Sequence, residues 1–270
     1  MLAWGSPAML AMMAGLGVAL AGFAVVERRA AEPILPPELF RIRAFLVSNG
    51  VGFLVGTAMF GAITFVPLYL QVVKDVTPTM SGIFLLPMMV GLIGTSALAG
   101  WWMTRTGHYR MLPVWSSALL AVGMFGLSQM SPDTPLWLIA AWLGVSGIGL
   151  GPVFSVGVAA IQNAVPKRML GVGTASANMF RLIGGSIGTA AFGAIFGAGL
   201  ARNVGTLLPE AGSIRSISRA TVEALPPDLQ PTVIAAFSAA LAPIFVVAAG
   251  VAVLAALLAM LLREEPLDEG

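Results

Sequence analysis

Residues 233–262 read Val233-Ile-Ala-Ala-Phe-Ser238-Ala-Ala-Leu-Ala-Pro243-Ile-Phe-Val-Val-Ala-Ala-Gly-Val-Ala-Val-Leu-Ala-Ala-Leu-Leu-Ala-Met-Leu-Leu262, an uncharged run in which Ser238 is the one polar side chain. A bilayer core about 30 Å thick is crossed by roughly 20 such residues wound as a helix. This tract therefore reads as a membrane span, and its near absence of polar groups predicts that it faces lipid.

Outward from this tract the same pattern repeats. Uncharged tracts cover 1–26, 44–73, 76–104, 111–132, 134–166 and 169–201, the last interrupted only by Arg181. Counting 169–201 as one span gives seven predicted membrane helices. Backbone groups in lipid must bond within their own segment, and the tracts lack the alternation of a membrane barrel, so an all-α bundle is predicted. A hydrophobic share of 58 %, a charged share of 10 % and a mean hydropathy of +0.93 exclude an ordinary soluble domain.

Composition also narrows the chemistry. There is no Cys, which removes disulfides and thiolate ligands, and the single His108 is too little for a zinc site, so no metal and no cofactor are expected. No span holds a carboxylate pair, a His cluster or a serine beside a base, so an enzyme is not expected. The net charge of +2 does not mark a nucleic-acid binder, because the basic residues flank the apolar tracts rather than forming a patch. Arg28 and Arg29 follow the first apolar run instead of preceding it, which argues against a signal peptide.

The basic residues set a predicted topology. With 27–43 placed in the cytoplasm, cytoplasmic segments carry Arg28, Arg29, Arg41, Arg43, Arg105, Arg110, Lys167, Arg168 and Arg263, against Lys74, Arg202, Arg215 and Arg219 outside. Nine against four agrees with the positive-inside rule, with an external N-terminus and a cytoplasmic C-terminus. The segments then divide as a first span at 1–26, a cytoplasmic linker at 27–43 entering a short interfacial helix after Pro36 and Pro37, a helical bundle at 44–262 and a tail at 263–270. The bundle's six spans fall at about 44–73, 79–103, 111–130, 136–162, 170–200 and 232–262. An external loop over 202–231 has helical character near Ser213 to Leu225. Pro67, Pro87, Pro152 and Pro243 lie within spans and can kink them.

Small residues four apart permit close helix contact, and the sequence offers Gly52/Gly56, Gly147/Gly151, Gly184/Gly188 and Gly193/Gly197. The sixth span is the polar one: Thr174, Asn178, Arg181, Gly185 and Gly188 share one helical face, which predicts contact with protein or water.

Between the third and fourth spans the chain reads Gly100-Trp-Trp-Met-Thr104-Arg105-Thr-Gly107-His-Tyr-Arg110. This resembles the G-x-x-x-D-R-x-G-x-x-R cytoplasmic loop of the major facilitator superfamily, with Thr104 where that family has Asp. Its expected logic is a close glycine contact at Gly100, a helix-end cap at Thr104, and a compact basic turn through Arg105, Gly107 and Arg110. The stretches Pro33-Ile-Leu-Pro-Pro-Glu-Leu-Phe-Arg41, Phe65-Val-Pro-Leu-Tyr69-Leu-Gln71, Ser81-Gly-Ile-Phe-Leu-Leu-Pro87, Gly147-Ile-Gly-Leu-Gly-Pro152 and Gly173-Thr-Ala-Ser-Ala-Asn178-Met-Phe-Arg181-Leu-Ile-Gly-Gly185 resemble its fourteen-span drug:proton antiporter branch.

On that template the first span resembles the second of two extra central helices, and the other six resemble the C-terminal bundle, so the N-terminal half is expected to be missing. The family's inverted repeat would pair spans two to four with five to seven, leaving spans two, three, five and six nearest the cavity. The resemblance implies half of a secondary transporter in the cell membrane, exporting lipophilic or cationic small molecules against protons. Metabolite uptake by the same fold and a truncated remnant are the alternatives. Its partners are the lipid bilayer, the small-molecule substrate and the missing half.

Every Asp and Glu lies outside the six bundle spans, which assigns the coupling carboxylate to the missing half. Cavity candidates on this half are Asn49, Thr57, Tyr69, Gln71, Met88, Asn178 and Arg181. Arg181 either leans towards the cytoplasm against neighbouring carbonyls, or faces the cavity to hold water or a carboxylate of the other half.

Overall fold

The computed structural model describes residues 7–29, 35–204, 222 and 225–262. Among them are eight α-helices and two short 3-10 turns: α1 (Pro7–Arg29), a turn at Pro37–Arg41, α2 (Arg43–Val72), α3 (Pro78–Ile83), α4 (Leu86–Thr106), α5 (Leu112–Ser128), α6 (Leu136–Ala164), a turn at Lys167–Met169, α7 (Leu170–Val204) and α8 (Gln230–Ala259). There is no strand among the described residues. Helices fall where the uncharged tracts predicted them. Five stretches are long and apolar enough to cross a bilayer by themselves: Arg43–Val72, Pro78–Thr106, Leu136–Ala164, Lys167–Arg202 and Gln230–Ala259. Shorter apolar stretches, Leu10–Ala19 and Leu112–Ser128, fall in the other two tracts. The protein is an all-α membrane protein.

Several boundaries differ from expectation. The third span is not one helix over 79–103: it breaks at Phe84 and Leu85, so Pro87 stands in the first turn of α4 and starts a helix instead of kinking one. Thr77 caps α3 by accepting from the Met80 amide. The linker forms its turn at Pro37–Arg41, earlier than the 39–43 segment that was expected to be helical. The helix expected near Ser213 and the tail at 263–270 lie outside the described residues, apart from Val222 and Leu225.

Packing follows an internal exchange. α2 packs on α7 as α6 packs on α4, α5 packs on α6 as α8 packs on α2, and α5 meets α8. This is the set of contacts produced by swapping α2 with α6, α4 with α7, and α5 with α8, the pairing expected of an inverted repeat. Two contacts break the exchange: α7 also packs on α8, and α6 on α7, without comparable contacts between α4 and α5 or between α2 and α4.

The two crossings of α2 with α7 and of α4 with α6 are built alike. A Cβ on Gly184 would overlap the Phe53 carbonyl, and one on Gly56 the Arg181 carbonyl. Likewise a Cβ on Gly147 would overlap the Met88 carbonyl, and one on Gly91 would come 2.9 Å from the Gly144 carbonyl. Backbones thus touch where lipid supplies no hydrophobic force to hold helices together. Each crossing also carries one threonine bridging two carbonyls. Thr57 reaches Phe53 and Gly184 at 3.0 Å each, while Thr95 reaches Gly91 at 2.6 Å and Ile148 at 3.1 Å. Gly193 and Gly197, expected to form a further contact pair, have nothing within 4 Å of where a Cβ would stand, so that pair makes no crossing.

The last span only half fulfils its expected lipid exposure. α8 turns Ala248, Ala249, Ala252, Ala255, Ala256 and Ala259 into the bundle and leaves Val246, Val253, Leu254 and Leu257 outside. The alanines let its second half lie close to its neighbours, while Phe237, Leu241, Ile244 and Phe245 fill the core from its first half and midpoint. Within the bundle of α2 to α8, the least covered helices are elsewhere. The apolar stretch of α3–α4 is 11 % buried and that of α7 28 %, against 50 % for α2 and α6 and 44 % for α8.

Candidate functional site

The polar face of α7 is covered only in part: Gly185 and Gly188 rest on Phe60 and Thr57 of α2, Arg181 is half-buried, and Asn178 is exposed. Arg181 sits a little over three turns into α7, roughly 16 Å along its axis. Its guanidinium carbon is 3.9 Å from the centre of the Phe154 ring on α6, a cation–π contact. It also donates to Asn178 Oδ1, one turn earlier on α7. The side chain therefore leans back along its helix, as helical side chains do.

Beneath the guanidinium is a cavity of about 20 Å³ among α2, α6 and α7, lined by Ser48, Gly52, Val153, Gly157 and Ala177 as well as Phe154. Its walls come close because Gly56 lets α2 rest on the Arg181 carbonyl. Ser48, 8 % exposed, has no hydrogen-bond partner for its hydroxyl among the described residues. Asn178, bonded to Arg181, is exposed.

The seven expected cavity residues are not gathered into one place. Asn178 and Arg181 are joined. Thr57 is committed to the α2–α7 crossing through Gly184. Asn49 is buried, its amide nitrogen bonded to the Phe45 carbonyl at 2.8 Å and its oxygen unpartnered among the described residues. Met88 is fully buried, with its carbonyl against Gly147. Tyr69 and Gln71 belong to the other end of α2. Tyr69 lies roughly 20 Å along the helix from Gly56, where its hydroxyl donates to the Ser131 carbonyl at 2.6 Å. Gln71 donates to the Ser81 hydroxyl at 2.9 Å. Nearby, Lys74 donates to the Pro132 carbonyl, and burial lowers its pKa while the charge of Asp133 opposes that shift.

Ser48 and Phe154 were not among the sequence candidates. Ser48 was accessible to reasoning, since Ser48, Gly52 and Gly56 continue one four-residue spacing by a further turn. Phe154 carried no such signal, because an aromatic residue after Pro152 in an apolar tract resembles any lipid-facing side chain.

At the loop between α4 and α5, Gly107 ends α4 with φ 70° and its amide returns to the Met103 carbonyl, so the turn needs glycine. Arg105 stacks over Trp101 at 4.5 Å, and Arg110 is exposed. Two expectations for this loop are corrected. Gly100 makes no close contact, since nothing lies within 4 Å of where its Cβ would be. Thr104 does not cap the helix end; its hydroxyl donates back to the Trp101 carbonyl at 2.9 Å, because Gly107 already closes the helix.

Comparison with known proteins agrees with this architecture. The family model described as Major Facilitator Superfamily matches residues 1–189. An uncharacterized MFS-type transporter of Mycobacterium tuberculosis (strain ATCC 25618 / H37Rv) is 40 % identical over 99 % of this chain and 39 % of its own length. A tetracycline resistance determinant of Streptomyces rimosus is 37 % identical over 74 % of the chain and 58 % of its own length. A multidrug transporter protein of Bacillus subtilis (strain 168) is 35 % identical over 73 % of the chain and 36 % of its own length. The chain thus spans about two fifths of the length of the mycobacterial relative. The matched family, the relatives and the helical bundle agree: this chain belongs to the major facilitator superfamily.

Proposed function

We propose that the chain forms the C-terminal half of a fourteen-span, proton-coupled exporter of lipophilic or cationic small molecules in the cell membrane. The observation that carries this reading is the sparsely covered α4–α7 surface. α4 and α7 are each sparsely covered by the rest of the bundle, and on α7 Asn178 is exposed while Arg181 is half-buried. A second bundle seated there would enclose a cavity between the two halves, the arrangement in which such transporters rock. The relative named as a multidrug transporter supports a broad substrate range, and the one named for tetracycline resistance is in keeping with it.

Proton coupling needs an ionisable group within the membrane. Helices α2 to α8 contain no Asp or Glu, so in this reading the coupling carboxylate belongs to the facing half. Arg181 supplies the fixed charge on this side.

The test is reconstitution of the 270-residue chain in liposomes under a pH gradient, alone and co-expressed with the N-terminal half of the mycobacterial relative. The expected result is insertion without transport for the chain alone, and gradient-dependent transport for the pair. Gradient-driven efflux by the chain alone would refute this division of labour.

A further inference from the structure

The cavity beneath Arg181 is lined on its polar side by donors. A guanidinium carries five N–H groups and accepts nothing. One of its nitrogens donates to Asn178 and its face is covered by Phe154, which leaves N–H groups on an edge not occupied by the ring. Ser48, whose buried hydroxyl has no partner among the described residues, lines the same space. No acceptor of matching charge is at hand, because α2 to α8 hold no Asp or Glu. A volume of about 20 Å³ admits one water-sized group and little more.

We infer that Arg181 and Ser48 form a receptor for a single anionic oxygen, of the carboxylate, enolate or phenolate class, inserted from the side of α7 on which Asn178 is exposed. The chemistry is charge-assisted. An oxyanion of that size can accept from the guanidinium and the hydroxyl together, forming bonds roughly twice as strong as neutral ones. Phe154 fixes the plane of the guanidinium, and the contact of Gly56 with the Arg181 carbonyl fixes the backbone that carries it. Where the proposed function holds, the oxygen comes from the exported molecule or from the facing half.

The native absence of cysteine makes the site directly measurable, since an introduced thiol is the chain's only one. Gly157 lines the cavity, and nothing lies within 4 Å of a Cβ placed there, so Gly157→Cys is accommodated. Its modification rates with anionic and cationic methanethiosulfonates are measured in lipid nanodiscs and normalised to a free thiol. The expected result is an anionic preference of at least about tenfold, the effect of a nearby unit charge in a protein setting. It is kept in Arg181→Lys and falls to within about twofold in Arg181→Gln. Equal rates, a cationic preference, or a preference that survives Arg181→Gln would overturn the inference. Ala177→Cys, on the opposite wall, repeats the measurement should Gly157→Cys not yield monodisperse protein.

A second arm, in the complete transporter, identifies the source of the oxygen. If Arg181→Gln, at unchanged surface abundance, loses efflux of acidic compounds by about tenfold but holds permanent cations within about twofold, the exported molecule supplies it. Loss of both classes assigns it to the facing half, and loss of neither overturns the inference. Efflux of nothing by the unmodified transporter would refute the exporter reading alone, since the thiol measurement does not depend on transport.

Discussion

The Thr57 hydroxyl on α2 lies 3.0 Å from the Gly184 carbonyl on α7, at the point where Gly184 itself rests on the Phe53 carbonyl. One turn of each helix thereby supplies both the close approach and the hydrogen bond that holds it. The α4–α6 crossing repeats the device with Thr95 and Gly91.

This predicts a sharp contrast between two glycines of the same helix. Gly184→Ala forces α2 and α7 apart and should cost about 1–3 kcal/mol, the usual penalty of overpacking. Gly193→Ala meets nothing and should stay within about 0.5 kcal/mol of the unmodified chain. Unfolding of the purified chain in mixed detergent and SDS measures both. Equal effects would show that the crossing does not depend on this contact.

The linker should be held by apolar burial rather than by charge. Leu39 is fully buried with Phe45, Ile161 and Val165, whereas the neighbouring Arg168–Glu38 pair, at 3.1 Å, is 71 % and 66 % exposed. Leu39→Ala should cost about 2–5 kcal/mol. Glu38→Gln should cost at most about 1 kcal/mol, and that loss should shrink with added salt. The same unfolding assay separates them, and a larger effect from Glu38→Gln would invert the assignment.

Much of this fold was legible in the sequence because crossing a bilayer demands long uncharged runs, and the runs are there. What hydropathy could not resolve was which side of a span faces lipid. Lipid tails and core side chains are equally apolar, so the alanines of α8 and its outward valines and leucines count alike. For the same reason Gly193/Gly197 matched the spacing rule as well as Gly184/Gly188, although only the second pair meets another helix. The break at Phe84 and Leu85 was hidden because no charge or polar cluster marks it.

The candidate site was legible in part. Arg181 stood out as the one charge in an apolar tract, and Asn178 as its neighbour one turn away. Tyr69, Met88 and Asn49 resembled cavity residues for their chemistry, but they are buried within the bundle. A single helix period cannot tell a face turned to a partner helix from a face turned to a cavity.

The orientation rests on nine basic residues against four. A reporter fused after Arg110 should be cytoplasmic and one after Gly212 external, as assayed by enzymatic activity in intact cells. The reverse pattern would invert every assignment of inside and outside.

Proton flux counted against substrate flux tests the central claim most directly. Vesicles of the complete transporter carry an internal pH indicator, and a pH gradient is imposed before substrate is added. The account predicts that substrate movement dissipates the gradient in proportion to the amount moved, and that an uncoupler abolishes accumulation. Substrate accumulation with no change in internal pH, or accumulation that persists after the gradient has been collapsed, would contradict it.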